Sequence, residues 1–302
     1  MKAGNLSPQL AAGMMMLCAM LILGIIDNLI PLVAREIGLW QFHFVRTLMA
    51  LPLICSLSLL GLGAVRPNRP GVLVLRSALV GMSMLLYFSA LALMPISQAL
   101  AGLFTSPIFI LLISATLLGQ RIGPWRVLAV ATGFVGILCV LQPDPQDFEL
   151  LVFLPVGAGF FYALGAIVTN RLCKDESTVA LLVGLWVFLG IMGALGLLIL
   201  QVWPIDTLPG PQGFVTRSWV WPIWQSFPWI VVQAIGSVFA VFLIIRAYQV
   251  GDPTRVGVFE FSIMIFGPLF GWLAFGAPIG IWQIAGIGLI CLAGVIIALR
   301  SK

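Results

Sequence analysis

Four ionisable residues, Asp27, Arg46, Arg246 and Glu260, interrupt long apolar runs. A charge held inside a bilayer costs about 2.5–3.5 kcal/mol on insertion scales, so each needs a partner, a cavity or a task. Asp27 lies six residues before the outer end of the first run, and Arg46 six or seven residues into the second from the same side. Both then sit roughly 9 Å deep and can meet. They form either a structural ion pair locking the two runs or a charged pair lining a cavity. In the cavity, Arg46 would take a substrate carboxylate or phosphate, and Asp27 a cation or a proton. Glu260 stands between Phe259 and Phe261, about two turns into the ninth run. Arg246, near the inner end of the eighth, is its expected partner, since Arg255 lies on a different helical face. The pair would close the inner ends of two helices, or Glu260 would serve as a gate or coupling carboxylate. His43 is one turn before Arg46 and is either a satisfied structural residue or a proton relay. Tyr87, Tyr162 and Tyr248 are packed or lipid-facing rings, or else the walls of a cavity suited to a cation or a planar ring.

Other chemistries find little support. The single histidine and five cysteines, without a CxxC pair, assemble no metal cluster, so no metal or cofactor is expected. The cysteines read as small apolar fillers. With no HExxH and no acidic metal motif, a membrane-embedded lipid-modifying enzyme is the weaker alternative, beside a non-transporting scaffold or receptor. A primary pump would need a phosphate-binding GxxxxGK[ST] loop, which is absent from the sequence. Hydrophobic residues make up 61% of the 302 and charged residues 8%, too few to cover a soluble surface. The +5 net charge is scattered and forms no basic run, so nucleic acid is not an expected partner.

The positioning elements are ten apolar segments, approximately 9–33, 39–60, 71–93, 97–119, 124–141, 150–171, 178–201, 226–248, 253–275 and 280–299. Each can cross about 30 Å as a helix, and none alternates as a barrel strand would. Turn signals separate them: Arg66-Pro67-Asn68-Arg69-Pro70, Met94-Pro95, Gly123-Pro124, Pro143 to Pro145, and Gly251-Asp252-Pro253. The first run is too long for a cleaved signal and reads as a retained span. Arg35 and Arg217 fall on the side reached after odd-numbered spans, and twelve other basic residues, including Lys2 and Lys302, on the opposite side. That bias places both termini in the cytoplasm of a bacterial-type inner membrane. Outside lie the acidic turn Asp144, Asp147 and Glu149, and the longest loop, where Trp203, Trp219, Trp221, Trp224 and Trp229 read as an interfacial belt. Gly184, Gly190, Gly193 and Gly196 in the seventh span signal close helix packing.

A repeat is visible at a shift of 157 residues. It superposes Ala90 on Ala247, Phe109 on Phe266, Leu112 on Leu269, Gly119 on Gly276, Gly123 on Gly280 and Trp125 on Trp282. Ser97 meets Thr254 and Thr105 meets Ser262. The expected units are residues 1–146 and 147–302. Each holds five spans, an odd number, so the two enter the membrane in opposite senses, the architecture that permits alternating access.

These residues resemble the drug/metabolite transporter superfamily, in its ten-span members built from two EamA repeats. The resemblance rests on Phe44-Val45-Arg46-Thr47-Leu48, Thr105-Ser106-Pro107-Ile108-Phe109 and Leu117-Leu118-Gly119-Gln120-Arg121, with Gly133 and Gly136 following. Phe259-Glu260-Phe261-Ser262 and Phe275-Gly276 hold the equivalent places in the second half. Gln120 and Ala277 stand where the family usually has an acidic residue, so no role for junction carboxylates carries over. The resemblance implies an all-α polytopic fold and transport. The expectation is a secondary transporter of a small polar metabolite, zwitterionic or cationic, such as an amino acid, an amine or an S-adenosylmethionine-like sulfonium. Its expected partners are the bilayer, protons or a counter-substrate, and it would act as a monomer or homodimer.

Overall fold

The computed structural model describes residues 7–93, 99, 102–141, 153–276 and 280–300. The acidic turn Asp144, Asp147 and Glu149, the turn signals Met94-Pro95 and Pro143 to Pro145, Ser97, Ala277, Lys2 and Lys302 lie outside the described residues. The helices, in order, are α1 (Pro8–Ile26), α2 (Ile30–Glu36), α3 (Leu39–Leu59), α4 (Pro70–Leu93), α5 (Ser106–Thr116) and α6 (Pro124–Leu141). They continue as α7 (Phe153–Leu172), α8 (Thr178–Val202), α9 (Phe227–Val250), α10 (Pro253–Glu260), α11 (Ile263–Phe275) and α12 (Ile281–Arg300). No strand occurs among the described residues. Seven helical stretches are long and apolar enough to cross a membrane, and α5, α6 and α12 are further apolar helices. The chain is an all-helical, multi-pass membrane protein.

Local chemistry explains where the helices start. Ser7 accepts the Leu10 N–H ahead of Pro8, and Asp252 accepts the Thr254 N–H at 2.9 Å ahead of Pro253. Both place a side-chain oxygen over unpaired N–H groups and a proline where no N–H is needed.

Three apolar segments expected as continuous helices are broken. The first is interrupted by a 3₁₀ turn at Asp27–Leu29 between α1 and α2. The reason is Pro31, which has no N–H to give the Asp27 carbonyl; the Ile30 N–H reaches that carbonyl instead, in a tighter bond. The ninth breaks at Phe261–Ser262, between α10 and α11, where the Ser262 hydroxyl donates to the Phe259 carbonyl at 2.6 Å. A matching turn at Phe104–Thr105 precedes α5, and there the Thr105 hydroxyl donates to the Gly102 carbonyl, also at 2.6 Å. These features are 157 residues apart, as are the left-handed helix-ending glycines Gly119 (φ 60°) and Gly276 (φ 64°).

The principal helix pairings are α1 with α9, α4 with α7, α3 with α8, and α6 with α12. The α3–α8 seam depends on a stripe of small residues: a Cβ on Gly193 would stand 2.7 Å from the Trp40 carbonyl oxygen and 2.9 Å from the Phe44 nitrogen. Gly190 and Gly196 face Thr47 and Trp40 across the same seam, as the glycine spacing predicts.

The long segment between α8 and α9 folds back over the α2–α3 corner. Arg217 donates to the carbonyls of Ala34 (2.9 Å), Ile37 (3.0 Å) and Gly210 (2.6 Å). The Gln41 amide exchanges two hydrogen bonds with the Val220 backbone at 2.8 and 3.0 Å, and Phe214 is fully buried. Partial burial pulls the Arg217 guanidinium below its usual value, and Glu36 pulls it back up. Trp203, Trp219, Trp221, Trp224 and Trp229 are all exposed, the disposition of rings meeting lipid headgroups. Arg217→Ala removes three carbonyl contacts and should cost about 2 kcal/mol. The readouts are a lower melting temperature and faster proteolytic nicking of this loop in reconstituted vesicles; an unchanged nicking rate would rule out the clasp.

Candidate functional site

A cavity of about 110 Å³ opens where the broken helices meet their neighbours. Its walls come from α1 (Met20, Leu23), α4 (Met84, Tyr87, Phe88), the turn before α5 (Leu103, Phe104), α7 (Tyr162), α9 (Val241, Ile244) and α11 (Ile263). Polar groups are few: Asp27, Arg46, Ser83, Ser106, Gln233, Ser237 and Glu260. Positions 157 apart face it together, Leu103 with Glu260 and Ser106 with Ile263, so each turn presents one polar group at a different register.

At one end stands Asp27, carried by the 3₁₀ turn that Pro31 enforces. Its neighbours are the Gln233 amide and, at longer range, Arg46. Gln233 also donates to the Ile26 carbonyl, and Ser237, one turn along α9, donates to the Gln233 carbonyl. The ion pairs among the described residues are Arg69–Glu176 and Arg126–Asp252; Asp27 and Arg46 face each other without such a contact. The Arg46 guanidinium is instead covered by rings, its carbon 4.6 Å from the centroid of Phe42, 4.7 Å from Trp186 and 5.5 Å from Phe88. Its Nη2 donates to His43 Nδ1 at 3.2 Å. Phe42 and His43 are four and three residues before Arg46, so α3 itself supplies half of this jacket.

At the other end, Glu260 is the last residue of α10, and its Oε1 accepts from both Tyr162 and Tyr248 hydroxyls at 2.7 Å. The two rings meet edge-on, 6.4 Å apart, with Ser106 adjoining the carboxylate. This corrects the expected Glu260–Arg246 pair. Arg246 is exposed, because on α9 it points away from the face that carries Tyr248 towards Glu260. Two phenols can satisfy a buried carboxylate without a second charge having to leave water.

Of the residues singled out in the sequence, Asp27, Arg46, Tyr87, Tyr162 and Glu260 line the cavity. His43 and Tyr248 stand behind it against Arg46 and Glu260, and Arg246 takes no part. Sequence reasoning missed Ser83, Gln233 and Ser237, and did not assign Ser106 to a site. Gln233 and Ser237, four residues apart in an apolar run, share one helix face and could have been found by that spacing. No group of three or more His, Cys, Asp or Glu among the described residues could hold a metal ion.

Comparison with known proteins is consistent with this architecture. A family model described as "EamA-like transporter family" matches residues 10–142 and 150–299. A riboflavin transporter of Vibrio cholerae is 30% identical over 235 residues, covering 76% of this chain and 72% of that protein. A riboflavin transporter of Brucella anthropi is 26% identical, covering 83% and 84%. An S-adenosylmethionine uptake transporter of Rickettsia prowazekii is 22% identical, covering 80% and 74%. A solved structure titled "Crystal structure of protein" superposes with a TM-score of 0.77 over 96% of this chain and 97% of that one, at 18% identity, a likeness of fold.

Proposed function

We propose, for a chain that belongs to the EamA-like transporter family and so moves a small metabolite across a membrane, that the cargo is a neutral, planar heteroaromatic compound of the riboflavin kind. The observation that carries this is the state of the cavity's charges. Glu260 is already engaged by two hydroxyls, and Arg46 lies under three rings. A zwitterion would have to break these contacts to find counter-ions. A flat ring needs only the aromatic faces of Tyr87, Phe88, Phe104 and Tyr162, where stacking contributes about 0.5–1.5 kcal/mol per pair. Gln233 and the serines can meet polar ring edges and hydroxyls.

The transport cycle is alternating access by two inverted five-helix repeats, 1–146 and 147–302, ten spans in all, with both termini cytoplasmic in a bacterial inner membrane. Supporting this are the turns and hydroxyl bonds recurring at 157 residues and the pairing pattern. Exchanging the two halves turns the α1–α9 contact into the α7–α4 contact and leaves α3–α8 and α6–α12 unchanged. The Asp27 end then opens outward and the Glu260 end inward, with Glu260 the proton-coupling carboxylate.

A second reading, a cationic or zwitterionic cargo such as an S-adenosylmethionine-like sulfonium, is favoured by Asp27, a cavity carboxylate without an ion-pair contact. Uptake of labelled riboflavin into proteoliposomes decides between them. Saturable uptake that excess S-adenosylmethionine and amino acids leave untouched supports the first reading. Uptake of the sulfonium with none of the flavin establishes the second, and flux of neither removes both.

A further inference from the structure

We infer, on the premise that the cavity holds the cargo, that Gln233, Ser237 and Asp27 form a row of hydrogen-bond acceptors that sets specificity by reading donor groups on that cargo, a chain of hydroxyls in a compound of the flavin kind. The protons of these polar groups are already placed. Gln233 is 1% exposed and lines the cavity. Its amide nitrogen donates to the Ile26 carbonyl and to the Asp27 carboxylate. Both partners only accept, so they fix the amide: turned over, its oxygen would face two acceptors. Both N–H groups are thus engaged, and Oε1 is the atom left for the cargo. Ser237 has one proton, shared between the Gln233 and Ala234 carbonyls, so its oxygen also meets the cavity as an acceptor.

Gln233 and Ser237 are four residues apart on α9, so their side chains follow one another at about 6 Å along one helix face, with Asp27 beside the first. The other polar groups do not reverse this polarity. At the Glu260 end the Tyr162 hydroxyl is engaged by the carboxylate, with Ser106 beside it. Ser83 and Tyr87 carry hydroxyls that can turn either to donate or to accept. Arg46 can only donate, but its guanidinium lies under three rings and gives Nη2 to His43. A row of acceptors opposes a ring edge that runs carbonyl, N–H, carbonyl, because two of those three groups accept as well. It matches successive hydroxyls, each able to donate to one oxygen of the row, and it matches an ammonium group for the same reason. A hydroxylated chain laid along α9 leaves the planar ring for Tyr87, Phe88, Phe104 and Tyr162, which other parts of the fold supply.

Quenching of flavin fluorescence by the purified full chain in detergent tests the row. The probes are riboflavin and its pentyl-chain analogue, in which hydrogen replaces every side-chain hydroxyl. The wild type should bind riboflavin at least about tenfold more tightly, against the greater hydrophobicity of the analogue; the opposite preference overturns the row. Ser237→Ala removes one oxygen and should raise the Kd of riboflavin about fivefold, the value of one hydrogen bond, while leaving that of the analogue unchanged. Gln233→Met keeps the length of the side chain, removes Oε1 and should act in the same sense. Equal weakening of both ligands, or of neither, overturns the row and leaves the flavin reading standing. Should neither flavin bind, the flavin reading falls, and thermal shift with S-adenosylmethionine and its analogue lacking the α-amino group decides the row. A loss in Ser237→Ala confined to the amine-bearing ligand upholds it; equal effects on the pair, or binding of neither, overturn it.

Discussion

Glu260→Gln should abolish concentrative uptake while leaving the protein folded. The carboxamide oxygen can still accept from the Tyr162 and Tyr248 hydroxyls, which reach Oε1 at 2.7 Å, and its amide can donate towards Ser106. The local hydrogen bonding therefore survives, and what disappears is a group able to take and release a proton. The expected result in proteoliposomes is near-normal exchange of cargo with complete loss of the response to an imposed pH gradient. Gradient-driven uptake at the wild-type level by Glu260→Gln would end the coupling role. The tyrosines give a structural control. Tyr162→Phe or Tyr248→Phe removes one charge-assisted bond and should cost about 2 kcal/mol. Removing both leaves a buried carboxylate with Ser106 alone beside it, so the double variant should lose more than the two singles combined, as read by unfolding midpoints.

This site was half legible in the sequence. Charges in an apolar run stand out because their cost is so high, and Asp27, Arg46 and Glu260 were found on that ground alone. Their partners were not. Which side chain answers Glu260 depends on how α10 is rotated against α7 and α9, and sequence spacing carries no information on rotation between helices. Opposite charge pointed to Arg246, yet two phenols do the same work without desolvating a guanidinium. Arg46 taught the same lesson in reverse: Phe42 and His43 were readable from their spacing on one helix, while Phe88 and Trp186 come from other helices.

The fold divides similarly. Apolar run length located the helices, and the basic residues and the 157-residue shift suggested their grouping. The breaks at Asp27–Leu29 and Phe261–Ser262 went unread, although Pro31, the cause of the first, stands in the sequence. Hydropathy is blind to them, because a broken apolar helix has the same composition as a continuous one. They matter because each puts a carboxylate beside non-helical backbone at cavity depth, where unwound peptide groups are tolerated only if they face protein or a polar space.

Gly24→Val should be among the most damaging single changes, and Gly267→Ala, at the same crossing, nearly silent. A Cβ on Gly24 would lie 2.9 Å from both the Gly267 nitrogen and the Phe266 Cβ, and 3.1 Å from the Phe266 carbonyl carbon. Two of these are backbone atoms that cannot rotate away, so α1 and α11 must separate. Their separation would also break the Asn28 amide bridge, which joins the Gly24 carbonyl at 2.6 Å to the Gly267 carbonyl at 3.3 Å. Overpacking of this kind costs about 1–3 kcal/mol, and a stranded amide adds to it. Asp27 follows Gly24 by three residues, directly after the end of α1, so the displacement reaches the cavity and should lower transport at least about tenfold, the equivalent of about 1.4 kcal/mol. By contrast, a Cβ on Gly267 meets nothing within 4 Å, because its Cα–Cβ direction leaves the crossing. Melting temperature and initial uptake rate should both fall for Gly24→Val and both hold for Gly267→Ala. Equal tolerance of the two would mean that α1 and α11 do not cross here, and that Asp27 is positioned by something other than this contact.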